Sequence, residues 1–372
     1  MANFSSDFRR HYRLARNHVQ KKGWGGWRFY LNVCTIVLLI IIFISARKEI
    51  VEAFKLLSKT NIWLILLLIP LQFASYYANT EVFFTYLRSR GQLRKLSALQ
   101  ATGMSLEFSF VNHVFPSAGI SGASYMVWRL SKYGVSSGQA TLAQIMRLVV
   151  QFGTFMVLMA VALVWATMEN RTANWVVVAT AISITTLILV VAFGNYVAGS
   201  KSRINSFSHW LSNSLNKIIK KLTFGRSRKK VNARKLDEFF FDLHSDYSVM
   251  KADKNMLKKP IIWSFIFNIL DVALFFVAFC SLGEFVNPAI LLIAYGAATL
   301  GGGLMVTPGG IGAYEVIMVG VLVAGGVSAD ASFAGVILTR MLLLVGTIST
   351  GFIFYQRALN KYGKPTPVNK DV

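Results

Sequence analysis

Six ionisable side chains lie within stretches that are otherwise apolar: Glu81, Glu107, Arg147, Asp271, Glu315 and Arg340. A charge in hydrocarbon is costly, so each needs a partner or a wet cavity and marks a candidate path for an ion or a polar headgroup. They form two sets of three. Each half of the chain supplies an acid in an early apolar run (Glu81, Asp271), an acid near an irregular break (Glu107, Glu315) and an arginine beyond it (Arg147, Arg340). The arginines suit bidentate recognition of phosphate oxygens, and Glu107, Asp271 and Glu315 suit a cationic or hydroxylated headgroup. The plainer alternative is a set of buried ion pairs that fix helix register. Glu81, close to Arg88 in the sequence, fits that alternative and a snorkelling position at the interface.

The breaks repeat. Phe115-Pro116-Ser117-Ala118-Gly119-Ile120-Ser121-Gly122 and Thr307-Pro308-Gly309-Gly310-Ile311-Gly312 lie 192 positions apart, and 18 residues after each proline comes a Gly-Val-Ser turn, Gly134-Val135-Ser136 or Gly326-Val327-Ser328. This is an internal repeat. Proline removes a backbone donor and glycine releases the helical dihedrals, so Pro116, Gly119, Pro308, Gly309, Gly310 and Gly312 should stop a helix. At membrane depth such freed backbone is tolerated only around a cavity. The helix starts at Gly119 to Ser121 and Gly309 to Gly312 are expected to present free N–H groups and a positive dipole end, an anion site to which Ser117, Ser121 and Ser124 add hydroxyls. Packing is the alternative role for those serines. Asn112 and His113 precede the first break, and a lone histidine is read as a satisfied packing residue. Glu315, three residues after Gly312, is expected to point at the second break.

What positions these groups is a membrane. The chain has 372 residues, 54% of them hydrophobic, with mean hydropathy +0.51, and several apolar runs reach the ~20 residues that a membrane helix needs. The reading is an all-α integral membrane protein, a polytopic helix bundle. About six full spans are predicted, at 27–46, 62–87, 140–165, 174–197, 261–282 and 331–355, with helical hairpins at 98–129 and 289–324. Residues 27–355 then form one membrane domain with repeat halves 62–165 and 261–355. A basic amphipathic segment, 1–26, precedes it. A basic connector, 198–260, joins the halves, and a basic tail, 356–372, follows. The first apolar run shows no small-residue cleavage pattern and is expected to be a retained helix.

Net charge of +23 raises nucleic acid as a partner, and the placement of the charges argues against it. With the N-terminus in the cytoplasm, segments 1–28, 88–97, 129–139, 198–260 and 356–372 fall on the inside and hold 7, 4, 2, 15 and 4 of the 39 Lys and Arg residues. That satisfies the positive-inside rule, puts both termini in the cytoplasm and suits contact with anionic lipid headgroups. The hairpins do not cross. Their second limbs hold 12 and 11 residues, and 12 residues at ~1.5 Å each cover roughly 18 Å of a ~30 Å core. Each hairpin is therefore read as re-entrant, the first from the cytoplasmic side and the second from the outside. An inverted-topology repeat with broken helices is a transporter design whose site lies near the midplane.

Several chemistries find no support. There is no GxxxxGK[ST] loop, HExxH or CxxC pattern, and Cys34 and Cys280 fall inside predicted spans, so no cofactor, metal or disulfide framework is expected. Without a nucleotide loop, any drive must come from gradients, membrane potential or lipid imbalance.

The segment Pro308-Gly309-Gly310-Ile311-Gly312-Ala313-Tyr314-Glu315, followed by Gly326-Val327-Ser328 and Arg340, resembles the lysylphosphatidylglycerol synthase transmembrane-region family, the flippase-like membrane proteins. Glu107, Asn112, Pro116, Gly119 and Arg147 look like that family's other hairpin, with Pro-Ser-Ala-Gly in place of the expected Pro-Gly-Gly. The resemblance implies movement of aminoacylated phosphatidylglycerol or related lipids between leaflets of the cell membrane, and resistance to cationic antimicrobial peptides. It also implies membrane phospholipids as partners and leaves room for a separate lipid-modifying synthase and for a homo-oligomer. The larger family members append a soluble transferase domain, whereas 17 residues follow the last predicted span here, so lysyltransferase activity is not expected of this chain. The alternatives that stay open are a membrane subunit of a lipid-modifying enzyme and a polyprenyl-phosphate carrier transporter.

Overall fold

The computed structural model describes residue 51, residues 55–58, 60–94, 96–115 and 120–168, scattered positions between 178 and 214, residue 253, and residues 255–303 and 312–363. The chain divides into two units, Met1–Arg47 and Lys48–Val372, and the described residues belong to the second. The predicted segment 1–26, the span 27–46 with Cys34, and the break residues Pro116, Gly119, Pro308, Gly309 and Gly310 lie outside the described residues. So do most of 174–197 and of 198–260, and the tail beyond 363.

The elements are α1 (Ile62–Ser89), α2 (Ala98–Val114), α3 (Ile120–Ser131), α4 (Ser137–Met168), α5 (Asn255–Ser281), α6 (Pro288–Gly303), α7 (Ala313–Ala324) and α8 (Ala329–Tyr362). No strand occurs among the described residues. Helices α1, α4, α5 and α8, with 28, 32, 27 and 34 residues, are long and apolar enough to cross a membrane. Helices α2 and α3 have 17 and 12 residues, and α6 and α7 have 16 and 12. The order long, short, short, long thus occurs twice. Apolar side chains on the long helices face outward, among them Trp63, Val157, Val161, Ile262, Ile269 and Ile353, as a lipid-facing surface requires. The last predicted span ended at 355, but α8 continues to Tyr362, where Gly363 at φ 79° ends it. A helix that emerges into water can carry Arg357 and Lys361, so the apolar run marks the membrane rather than the helix end.

Local sequence sets the boundaries. Ser97 Oγ accepts from the Gln100 N–H at 3.3 Å and Gln100 Oε1 from the Ser97 N–H at 3.2 Å, a capping box that starts α2. The duplicated Gly-Val-Ser turn performs the same task twice. Gly134 and Gly326 take φ of 80° and 91°, which glycine adopts without a Cβ penalty. The following Val135 and Val327 N–H groups reach back to the carbonyls of Leu130 and Leu322. Ser136 and Ser328 then cap the next long helix by accepting from Gln139 and Ala331.

Antiparallel limbs make each pair of short helices a hairpin. In the first, Asn112 meets Gly122 and Glu107 meets Tyr125 and Arg129. In the second, Ile317 covers Gly301 and Ile290 covers Gly325. The halves interlock reciprocally. Helix α2 leans on α8, where Phe110 lies 5.8 Å from Phe352 and 5.2 Å from Tyr355. Helix α6 leans on α4, where Tyr295 lies 5.7 Å from Phe155. Between them α1 packs on α5, with Tyr77 edge-on to Trp263 at 5.4 Å.

Glycine permits the α2–α8 approach. A Cβ on Gly351 would sit 2.7 Å from the Leu106 carbonyl oxygen and 2.6 Å from the Phe110 Cβ, and backbone cannot turn aside as a flexible side chain can. Gly351→Ala is expected to cost ~1–3 kcal/mol by overpacking, read as a lowered unfolding midpoint in detergent. Gly320→Ala, where no atom lies within 4 Å of the new methyl, serves as the control and should leave the midpoint near wild type.

Candidate functional site

Each long helix carries polar side chains near its midpoint. They are Ser75, Tyr76 and Asn79 on α1, Gln151 and Thr154 on α4, Ser264, Asn268 and Asp271 on α5, and Thr347 on α8. Toward one end of the bundle they give way to an apolar cluster around the first hairpin, with Phe84, Leu87, Met104, Met126 and Ala143. Toward the other they give way to a cluster around the second hairpin, with Ala162, Phe279, Leu291, Met318 and Val336. The polar groups therefore form a belt between two greasy layers, where lipid provides no water to satisfy them.

Inside the belt they satisfy one another across four helices. Asn268 Nδ2 donates to the Gln151 carbonyl oxygen at 3.2 Å and to Thr154 Oγ1 at 2.9 Å, and Thr154 and Ser264 share a hydroxyl hydrogen bond. Gln72 Nε2 donates to Thr347 Oγ1 at 3.1 Å and to the Leu343 carbonyl oxygen at 3.0 Å. Tyr76 and Thr347 are hydrogen-bonded through their hydroxyls.

Two opposite charges sit in this belt without pairing. The buried Arg147 guanidinium donates from Nη1 to Asn79 Oδ1 at 3.1 Å, while Gln151 Nε2 donates to the same oxygen at 2.8 Å. Its carbon lies 4.6 Å from the Phe108 ring centroid and 5.9 Å from that of Phe83, and its Nε has no partner. Rings and one amide oxygen soften a cation but do not neutralise it. The Asp271 carboxylate accepts from Ser75 Oγ at 2.7 Å and from the Tyr295 hydroxyl at its other oxygen. Among the described residues no carboxylate pairs with Arg147 and no cation pairs with Asp271.

The hairpins hold the paired charges. Arg129 Nε donates to Glu107 Oε2 at 2.8 Å, Tyr125 Oη donates to the same oxygen at 2.9 Å, and the Arg129 guanidinium stacks 4.3 Å over the Tyr362 ring. This pair is almost sealed, at 8% and 4% side-chain exposure. Arg340 Nε donates to Glu315 Oε1 at 3.0 Å, with the Arg340 guanidinium 4.1 Å over the Tyr314 ring, and this pair is more open at 19% and 11%. The first hairpin's His113 lies within electrostatic reach of Arg340, so the end of α2 approaches the second hairpin's pair. His113 itself donates from Nδ1 to the Ser109 carbonyl oxygen at 2.7 Å, as expected of a packing histidine.

Two helix starts differ from the sequence expectation. The Gly312 N–H, read as free for an anion, donates to Glu315 Oε2 at 2.6 Å, so Glu315 caps its own helix instead of leaving the terminus open. The Gly122 N–H is taken by Asn112 Oδ1 at 3.0 Å, and Ser121 Oγ donates to the Val111 carbonyl oxygen at 3.4 Å. An unsatisfied N–H in a dry setting is expensive, and a side chain two or three positions along closes it sooner than a ligand can.

Of the residues singled out by sequence, Arg147 and Asp271 meet in the belt, Glu315 and Arg340 pair, and Glu107 finds a partner that sequence reading missed. Glu81 pairs with Arg88 at 2.6 Å within α1, as its neighbourhood suggested. Sequence reading also missed Ser75, Gln151, Thr154, Asn268 and Tyr295. A signal existed: Gln151 with Thr154, and Ser264, Asn268 and Asp271, recur at helical spacing within apolar runs. Among the described residues no three His, Cys, Asp or Glu side chains gather to hold a metal.

Removing one partner of a sealed ion pair leaves an uncompensated charge. Arg129→Ala is expected to cost ~3–5 kcal/mol, and combining Glu107→Leu with Arg129→Met should recover most of that loss. Thermal unfolding of the purified variants in detergent measures both, and a single-variant loss below ~1 kcal/mol would show that water reaches Glu107.

Comparison with known proteins agrees with the helical, membrane-bound architecture. No solved structure matches the chain. A relative described as a UPF0104 membrane protein, from Methanothermobacter thermautotrophicus, is 23% identical over 234 residues, which cover 62% of this chain and 67% of the relative. The family model for the lysylphosphatidylglycerol synthase TM region matches residues 31–351, which include both hairpins, the polar belt and the Glu315–Arg340 pair. This chain therefore belongs to the lysylphosphatidylglycerol synthase transmembrane-region family.

Proposed function

We propose that this protein is a lipid flippase or scramblase that moves an anionic or aminoacylated phospholipid, lysylphosphatidylglycerol-like, between the leaflets of the cell membrane. The observation that carries the reading is the unpaired Arg147 cation and unpaired Asp271 carboxylate, held in one polar belt at mid-height of apolar helices. Intramembrane charges left without partners are characteristic of a substrate path rather than of a scaffold. A headgroup that carries a phosphate and an amine answers both: the phosphate goes to Arg147 and the ammonium to Asp271, while the acyl chains stay in the bilayer. The Glu315–Arg340 pair, more exposed than Glu107–Arg129, is the part of the hairpin chemistry that a headgroup can reach.

The architecture supports the same reading. About six spans, counting 27–46 and 174–197, would enclose two re-entrant hairpins that enter from opposite faces with both termini in the cytoplasm. The 12-residue limbs α3 and α7 are too short to cross, and the reciprocal packing of α2 on α8 and α6 on α4 is the exchange that a pseudo-two-fold repeat produces. A separate lipid-modifying synthase would supply the substrate.

Purified protein in liposomes, with labelled lipids scored for leaflet movement, tests the reading. Glu315→Gln, which keeps an acceptor for the Gly312 N–H, and Arg340→Ala are expected to abolish movement in folded protein. Near-normal movement by both would put the site elsewhere. If phosphatidylglycerol, lysylphosphatidylglycerol and polyprenyl phosphate all stay put with the wild-type chain, the reading fails, and movement of polyprenyl phosphate alone would make it a carrier-lipid transporter. For the topology, Ser328→Cys in a background without Cys34 and Cys280 should react with an impermeant reagent from outside; reaction from the cytoplasmic side alone would reverse the assigned orientation.

A further inference from the structure

The lipid reading above leaves Asp271 unexplained when no headgroup is present. A bare carboxylate between two apolar layers is unfavourable, and the hydroxyls of Ser75 and Tyr295 solvate it without supplying a positive charge. The groups facing Asp271 are neutral on every element packed against it. Helix α1 contributes Ser75 and the Tyr76 phenol, α6 contributes the Tyr295 phenol, and α7 contributes the Tyr314 phenol. Helix α4 contributes Gln151 and Thr154, which occupy Asn268 one turn away on Asp271's own helix. On α8, Thr347 is engaged by Tyr76, and Arg340 lies over the far partner of this set, the Tyr314 ring, where its charge is answered by Glu315.

We propose that Asp271 is a proton-exchange site: it holds a proton while the belt is empty and gives it up when the ammonium of an aminoacylated lipid arrives, so that the protein exchanges protons for lipid amine. The step balances. The carboxyl O–H bond breaks, its proton passes to water, and an N–H of the lipid ammonium takes its place on the carboxylate oxygen. Net charge in the belt is the same before and after, one cation at Arg147 plus a neutral Asp271 or an Asp271–ammonium pair, and the phosphate is carried by Arg147. The flanking hydroxyls suit both states, because Ser75 Oγ and Tyr295 Oη can donate to the carboxylate or accept from the carboxyl without moving. Because donation favours the anion, they also ease the loss of the proton.

The inference rests on the flippase reading, and its test separates the two. Lysylphosphatidylglycerol or phosphatidylglycerol is titrated into the full-length protein in nanodiscs, with calorimetry in buffers of different ionisation enthalpy to count protons. Lysylphosphatidylglycerol should release close to one proton per lipid bound, phosphatidylglycerol none, and Asp271→Asn should release none while keeping the phosphatidylglycerol affinity. Tyr295→Phe, which retains the carboxyl, should still release the proton, with the pH midpoint of release moved upward because the anion has lost a donor. Binding of lysylphosphatidylglycerol without proton release, or unchanged release in Asp271→Asn, overturns the exchange and leaves the flippase reading standing. Release that appears only when sodium is withdrawn at fixed pH makes Asp271 a sodium site and likewise overturns it. If neither lipid binds, both fall together, and the binding isotherm itself reports that case.

Discussion

Hydrocarbon offers no solvent for a polar group, and this one constraint organises the molecule. Every hydroxyl, amide and charge near the middle of α1, α4, α5 and α8 must be answered by another part of the chain, and the answers come from a different helix in nearly every case. Asn268 is satisfied by α4, Asp271 by α1 and α6, and Gln72 by α8. The belt thus does two jobs. It ties the two halves together at the depth where apolar packing alone discriminates poorly between one helix register and another, and it concentrates polarity where a headgroup would have to pass.

Charge is handled differently in the belt and in the hairpins. Glu107 and Arg129 are closed off and supported by Tyr125 and Tyr362, an arrangement suited to holding the first hairpin together and tethering it to the end of α8. Arg147 and Asp271 are given amides, hydroxyls and rings, but no counter-ion. A protein that needed only stability would have paired those two charges or replaced them with leucine. Leaving them apart keeps both electrostatic demands unmet inside one fold.

Much of this was legible in the chain. Apolar run lengths gave the four long helices, and the 12-residue second limbs followed from the distance between the Pro/Gly breaks and the Gly-Val-Ser turns. Those turns needed no structure to be recognised as a pair, because positive φ at Gly134 and Gly326 followed by a serine cap is a local requirement that local sequence states. Partner choice was not legible. Glu107 lies 40 residues from Arg147 but folds back onto Arg129, because the hairpin angle, not the charge pattern, decides which cation is near. Glu315 was read as facing a ligand and instead closes its own helix, since a backbone N–H three residues away competes at high effective concentration. Gln151 and Asn268 escaped notice because a single amide in an apolar run resembles noise until the opposite helix supplies its complement.

The reciprocal lean of α2 on α8 and of α6 on α4 has a consequence for how the molecule comes into being. Helix α2 is made early, yet the surface that fills the notch at Gly103 and covers Phe110 belongs to Phe354, Phe352 and Tyr355 near the end of the chain. While the ribosome is still at work, the first hairpin has its own limb and α1 to rest on but lacks its final wall. Biogenesis therefore cannot finish half by half: the first half must wait, incompletely packed, until the last helix has been inserted and locks both hairpins in one closing event.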